Sequence, residues 1–309
     1  MRATREGFQT LTIGAPDGEL QATFVPAAGM VCCSLRHRGR ELLAQRHGLR
    51  AYAERGATMG IPLLYPWANR LAAFDYPTAR GPVELSRGDP LLQLDPNGLP
   101  IHGVRPGALA WEPLEGDDTG RSLRARLRWE RSELLAIFPW RHEVELHASV
   151  RDATLTLHTT VRASDGSTDA EMPIAFGYHP YLTLPGGDRP EWEVELPFSR
   201  RLLLDARKIP TGASEPLDRR RFELDRRDLD DAFAEPTSPP VFAARAGGAG
   251  VELELLGGYR FGQLYAPVAE RFVCFEPMTA PTNALRTRED LTLLAPGGAF
   301  GAAFAITVE

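Results

Sequence analysis

His179 lies in Phe176-Gly177-Tyr178-His179-Pro180-Tyr181, a stretch that restrains the backbone around an imidazole. Proline disfavours a helical conformation in the residue before it, so His179 is expected to leave the end of a strand in extended geometry. Gly177 permits dihedrals or a close approach that a side chain would forbid. Imidazole titrates closest to neutrality, which suits it to proton transfer. A half-buried histidine bonded to a loop carbonyl would account for the hexapeptide equally well. The matching anomaly is Glu276, one acid ending the apolar run Phe272-Val273-Cys274-Phe275 just before Pro277. A buried carboxylate without a partner is costly and its pKa rises, which is what a general base requires. A structural ion pair with an arginine is the other reading.

Three further stretches carry polar groups where binding could use them. Gly60 to Leu71 is apolar until Asn69-Arg70, and that pair offers a fork of donors with one amide acceptor, suited to vicinal hydroxyls or a carboxylate. His102 stands beside Gly103 in Leu99-Pro100-Ile101-His102-Gly103, where a turn histidine is the plainer interpretation. Asp230 and Asp231 precede Ala232-Phe233, a pattern also given by a helix start with solvated acids. His102, His179 and Glu276 could serve as a metal site only as scattered ligands. No H-x-H or H-E-x-x-H spacing supports that, so the expectation is no metal and no cofactor. Neither a G-x-S-x-G elbow nor a glycine-rich nucleotide loop is present.

The elements that must hold these residues read as strands. Leu123 to Trp129, His142 to Ala148, Thr154 to His158, Trp192 to Leu196 and Val251 to Leu255 alternate apolar and polar residues. Period two bounded by Gly, Pro, Asp and Asn predicts antiparallel strands with one wet face. Only Glu41 to Arg50 and Arg226 to Phe233 suggest short helices. The 26 prolines oppose a helical bundle and suit turns and edge strands. One large all-β domain spanning residues 1–309 is expected, a sandwich or barrel.

Composition narrows the function classes. The net charge is -6, with acids and arginines interleaved, which argues against a nucleic-acid or anionic-membrane partner. The triplet Arg219-Arg220-Arg221 is surrounded by acids and reads as a solvated loop or strand edge. Adjacent Cys32 and Cys33 would face opposite sides of a strand, and no C-x-x-C spacing occurs. Without an apolar signal core or membrane span, a cytoplasmic protein is expected, as monomer or homodimer.

Taken together, Pro26-Ala27-Ala28-Gly29, Ala68-Asn69-Arg70-Leu71, Ile101-His102-Gly103, Gly177 to Tyr181, Asp230 to Phe233 and Cys274-Phe275-Glu276-Pro277 resemble the aldose 1-epimerase, or mutarotase, family in order and separation. The resemblance implies a large antiparallel β-sandwich of the galactose mutarotase-like kind, with few short helices, an open sugar cleft and no cofactor. By it His179 is the general acid that protonates the ring oxygen and Glu276 the general base at the anomeric hydroxyl. His102, Arg70 and Asp230 are implied to hold the ring oxygen and hydroxyls. The expected partner is a small-molecule sugar. A non-catalytic sugar sensor and a hexose-6-phosphate 1-epimerase are the alternatives. Glu276-Pro277 is followed by Met278-Thr279-Ala280-Pro281-Thr282-Asn283, unlike the galactose-specific members, so the sugar preference is open. With Arg70 committed to the sugar and Arg105 expected to point to solvent, neutral aldohexoses are expected to be preferred over 6-phosphates. Trp67 or Tyr181 could offer the sugar a flat apolar face.

Overall fold

The strands that carry the strongest alternation form one layer of the molecule. In a computed structural model that describes residues 2–114, 119–165 and 171–309, Ser122–Trp129, His142–Arg151, Thr154–Ala163 and Ala299–Val308 are successive neighbours in a nine-stranded sheet. Their buried and exposed residues alternate along most of their length, as period two requires when one face meets the core. Arg221–Glu223 is an edge strand of this sheet, and Arg221 pairs with Glu193 across it.

The second layer holds eight strands, among them Leu229–Pro236, Phe261–Ala266, Val273–Met278, Gly177–Tyr178 and Leu63–Leu64 in that spatial order. Its pairings are antiparallel. The layers meet through aromatic rings. Phe275 stacks on Phe242 at 4.9 Å between centroids, and Tyr178 meets Phe304 edge-on at 5.1 Å. Burying each such side chain contributes about 1.5–3 kcal/mol, with about 0.5–1.5 kcal/mol more for ring pairs of this geometry. The architecture is therefore an all-β antiparallel sandwich with few short helices. A five-stranded sheet from Arg2–Arg5 to Arg40–Glu41 packs Ile13, Leu20, Ala22, Phe24, Cys32 and Leu35 into the same core.

Within that smaller sheet, Val31–His37 sends Cys32 into the main core and Cys33 into a separate apolar cluster against Leu49 and Tyr52. All three cysteines are free and buried. The helix expected from Glu41 to Arg50 instead runs Gly48–Arg55, since Glu41 ends a strand and spends its carboxylate on the Ser34 hydroxyl and the Leu35 and Leu43 N–H groups. The helix expected from Arg226 to Phe233 does not form. Leu229–Pro236 is a central strand, because pairing on both sides to Phe198–Leu204 and Phe261–Ala266 outweighs a weak local preference. Among the described residues no helix is long and apolar enough to cross a membrane.

Candidate active site

Register places the polar residues of the second layer on one face. Asp230 lies opposite Tyr265, Tyr265 opposite Cys274, and Cys274 opposite Tyr181. One row along, Ala232 lies opposite Gln263 and Gln263 opposite Glu276. Directly opposed residues share a face, and Phe275, between Cys274 and Glu276, points into the sandwich core. Glu276 and its row therefore face away from the core. There the segments around Arg46 to Thr58, Asn69-Arg70 and Arg87 to Arg105 wall a cleft of about 800 Å³. That is at the roomy end of the roughly 300–1,000 Å³ found for small-molecule sites.

His179 and Glu276 meet at the floor of the cleft. His179 Nε2 is 3.1 Å from Glu276 Oε1, and the two residues are only 5% and 2% exposed. Close backbone approach makes this contact possible. A Cβ on Gly177 would lie 2.7 Å from the Pro277 carbonyl oxygen, so the strand bearing His179 can sit against the strand bearing Glu276 only with glycine there. The Tyr181 ring lies parallel to the imidazole, 4.4 Å away and within 2° of coplanar orientation, which fixes the plane of His179. Thr58 in turn holds the Tyr181 hydroxyl. Among the described residues His179 Nδ1 and Glu276 Oε2 have no hydrogen-bond partner.

Burial drives the electrostatics. It pushes the Glu276 carboxyl well above its ordinary pKa; nearby Asp230 adds to this and Arg70 opposes it. The His179 imidazole is held well below its ordinary value by burial first, then by His102 and Arg46. Both shifts run in the direction that disfavours two separated charges on this pair.

His102 and Arg70 come from two antiparallel segments. His102 N–H donates to the Asn69 carbonyl at 2.9 Å, and the Asn69 N–H donates to His102 Nδ1 at 3.2 Å. An accepting Nδ1 leaves the ring proton on Nε2, so His102 is a neutral donor. Burial, then Arg70, lowers its pKa to about 3, consistent with that tautomer. His102 has φ +60° and Gly103 φ +69°, and a Cβ on Gly103 would lie 2.0 Å from the Tyr65 carbonyl oxygen. Only glycine fits the second of these positions.

Arg70 is aimed by two acceptors. Its Nε donates to Asp95 Oδ2 at 2.8 Å and its Nη1 to Asn69 Oδ1 at 2.9 Å, while Nη2 stands 3.9 Å from Asp230 Oδ2. Gln263 Nε2 donates to Asp230 Oδ1, and Lys208 lies 3.9 Å from Oδ2. The structure thus brings His179, Glu276, Asn69, Arg70, His102 and Asp230 to one cleft. Asn69 is 3% exposed, and its Oδ1 accepts from Arg70 at the wall of the cleft.

Several residues of the site carry no local signal. Asp95, which anchors Arg70, is recognisable only as the start of the turn Asp95-Pro96-Asn97-Gly98. Its carboxyl is held below the usual range: burial opposes this, but the Leu99 N–H, Arg70 and Asn97 outweigh it. Gln263 and Tyr265 lie in an ordinary-looking strand, and only the register reveals them. Trp67 is buried in the core, whereas Tyr181 does line the cleft. Arg105, expected to point to solvent, lines the cleft with Nη1 donating to the Glu54 carbonyl at 3.2 Å. Among the described residues no three His, Cys, Asp or Glu side chains are grouped to hold a metal ion.

The aldose 1-epimerase family model matches residues 12–307, and the chain belongs to that family. No curated protein sequence matches it. A galactose mutarotase-like protein from Clostridium acetobutylicum superposes with a TM-score of 0.85 at 16% identity, covering 100% of this chain and 98% of that one. The Slr1438 protein from Synechocystis gives 0.78 at 20% identity, covering 97% and 95%. The aldose epimerase homologue from C. elegans gives 0.76 at 17% identity, covering 97% and 98%. At such identities the likeness establishes the galactose mutarotase-like sandwich and nothing finer.

Proposed function

We propose that this protein is an aldose 1-epimerase that interconverts the α and β anomers of an aldohexose by acid–base ring opening and reclosure. The observation that carries the reading is the buried His179–Glu276 contact, a matched acid and base facing a cleft lined by sugar-sized donors and acceptors. Mere binding would need no such pair.

The pair supplies the chemistry with one proton. Moving it from Glu276 to His179 across their 3.1 Å contact makes a carboxylate base and an imidazolium acid, with nothing drawn from solvent. Glu276 removes the proton from O1, the C1–ring oxygen bond breaks as C1=O forms, and His179 protonates the departing ring oxygen. The open-chain aldehyde is left with protonated Glu276 and neutral His179, the distribution that burial favours. Rotation about C1–C2 presents the other carbonyl face, and the same steps in reverse close the opposite anomer. Arg70, the His102 Nε2–H and Asp230 hold the ring oxygen and hydroxyls during the rotation.

Optical rotation of freshly dissolved α-glucose, α-galactose and pentoses tests the reading. Accelerated decay for at least one sugar is expected. Calorimetrically detectable sugar binding with no acceleration for any sugar would overturn it in favour of a sensor.

A further inference from the structure

We propose that the preferred sugar carries an anionic group remote from C1, a phosphate ester or a carboxylate, held by a wall of arginines; this rests on the mutarotase reading above. Arg46, Arg55, Arg87 and Arg105 line the same cleft as His179 and Glu276. Among the described residues none of the four forms an ion pair with a carboxylate, unlike Arg70, which is committed to Asp95.

The contacts trace where this wall runs. Tyr181, stacked on His179, is held by Thr58, and Arg46 Nη1 donates to the Thr58 carbonyl at 3.0 Å and to the Tyr181 hydroxyl at 3.3 Å. Thr58 leads back through Gly56 to Arg55 at the end of the helix Gly48–Arg55. One residue earlier, the Glu54 carbonyl accepts from Arg105. The wall therefore starts beside the reacting pair and runs outward to Arg105. Arg105 Nε is buried and has no partner among the described residues, a donor left unused there. Arg87 approaches separately, its guanidinium stacked over Phe74 at 4.2 Å.

Among the described residues no carboxylate of the cleft is ion-paired with these four arginines. Asp95 is bonded to Arg70, and Asp230 is bonded to Gln263 with Arg70 and Lys208 beside it. Asp89 accepts the Leu91 N–H at 2.8 Å. The expectation of neutral substrates rests on Arg70, Arg105, the acids flanking Asp230 and the net negative charge; Arg46, Arg55 and Arg87 lie in stretches with no recognisable motif. Several guanidiniums without carboxylate partners on the lining of one cleft are suited to multidentate, charge-assisted recognition of an anion.

Calorimetric binding of glucose, glucose 6-phosphate, glucuronate and inorganic phosphate tests this without relying on turnover. At least one anionic sugar is expected to bind about tenfold or more tightly than glucose, since hydrogen bonds to charged groups are the stronger class. The preference should shrink as salt is raised. The phosphate and glucuronate arms distinguish the two sources of charge. In Arg105→Ala, and separately in Arg55→Ala, the preference should fall several-fold while affinity for glucose stays within about twofold. Equal or tighter binding of glucose overturns the proposal, as does a preference that survives when Arg55 and Arg105 are both replaced by alanine. If the anion preference is present but no sugar mutarotates faster, the mutarotase reading fails and the binding site stands.

Discussion

Replacing Glu276 with glutamine separates two properties of the buried pair, its catalysis and its charge state. Glutamine has nearly the same shape and can still hydrogen-bond His179, but it cannot accept a proton from O1. Loss of a positioned general base costs about 10²–10⁴ in rate, or roughly 2.7–5.4 kcal/mol of barrier. Stability should respond very differently. Glu276 is 2% exposed and burial raises its carboxyl pKa, so on the one-proton description a neutral amide replaces a neutral acid. The change should cost no more than about 1 kcal/mol, the size of one ordinary hydrogen bond. Were Glu276 and His179 a resting ion pair, removing one charge would cost about 3–5 kcal/mol. Polarimetry gives the first quantity and urea unfolding with unchanged slope gives the second. Full activity in Glu276→Gln would refute the assignment of the base, and a stability loss of 3 kcal/mol or more would refute the one-proton description.

The pH profile of kcat/KM follows from the same pair, which works while it holds one proton. His179, with its pKa depressed, takes a second proton only well below its ordinary value of 6.5, and Glu276, with its pKa raised, releases the last one only well above 4.5, so the acid limb of the profile should lie below the ordinary histidine value and the basic limb above the ordinary carboxylate value. An inflection at the ordinary histidine value would contradict this. Asp230→Asn should raise KM more than it lowers kcat, and a pure kcat effect would place Asp230 in the chemistry instead. Arg70→Ala should raise KM and also lose about 3–5 kcal/mol in urea unfolding, because it strips the buried Asp95 of its cation. Gly103→Ala should lose more than about 2 kcal/mol, since its Cβ would overlap the Tyr65 carbonyl at a left-handed φ, and a neutral result would mean that the loop shifts freely. Exhaustive chelation should leave the rate unchanged, and loss restored by one divalent ion would revive a metal role for His102, His179 and Glu276.

How much of this could be read from the chain depended on which face each strand shows to water. His142–Arg151 and Thr154–Ala163 alternate cleanly because one side of their sheet is wet, so both were legible. Val273–Met278 is buried on both faces and has no period, yet that made Glu276 visible as the one acid in an apolar run. His179 was legible through its flanking proline and glycine. Asp230 lies on a strand where the local pattern suggests a helix start, because the pairing that makes it a strand comes from residues far along the chain. Asp95, Gln263, Tyr265 and Arg46 acquire their places only when separate segments are brought together, and no local pattern records such partnerships.

Exchange between the α and β anomers at equilibrium, followed by magnetisation transfer in NMR, measures ring opening and closing directly. With wild-type protein and a bound sugar, the account predicts exchange far above the uncatalysed rate, falling about 10²-fold or more in His179→Ala and in Glu276→Gln. Wild-type exchange at the background rate, or full exchange in the double variant, would contradict it.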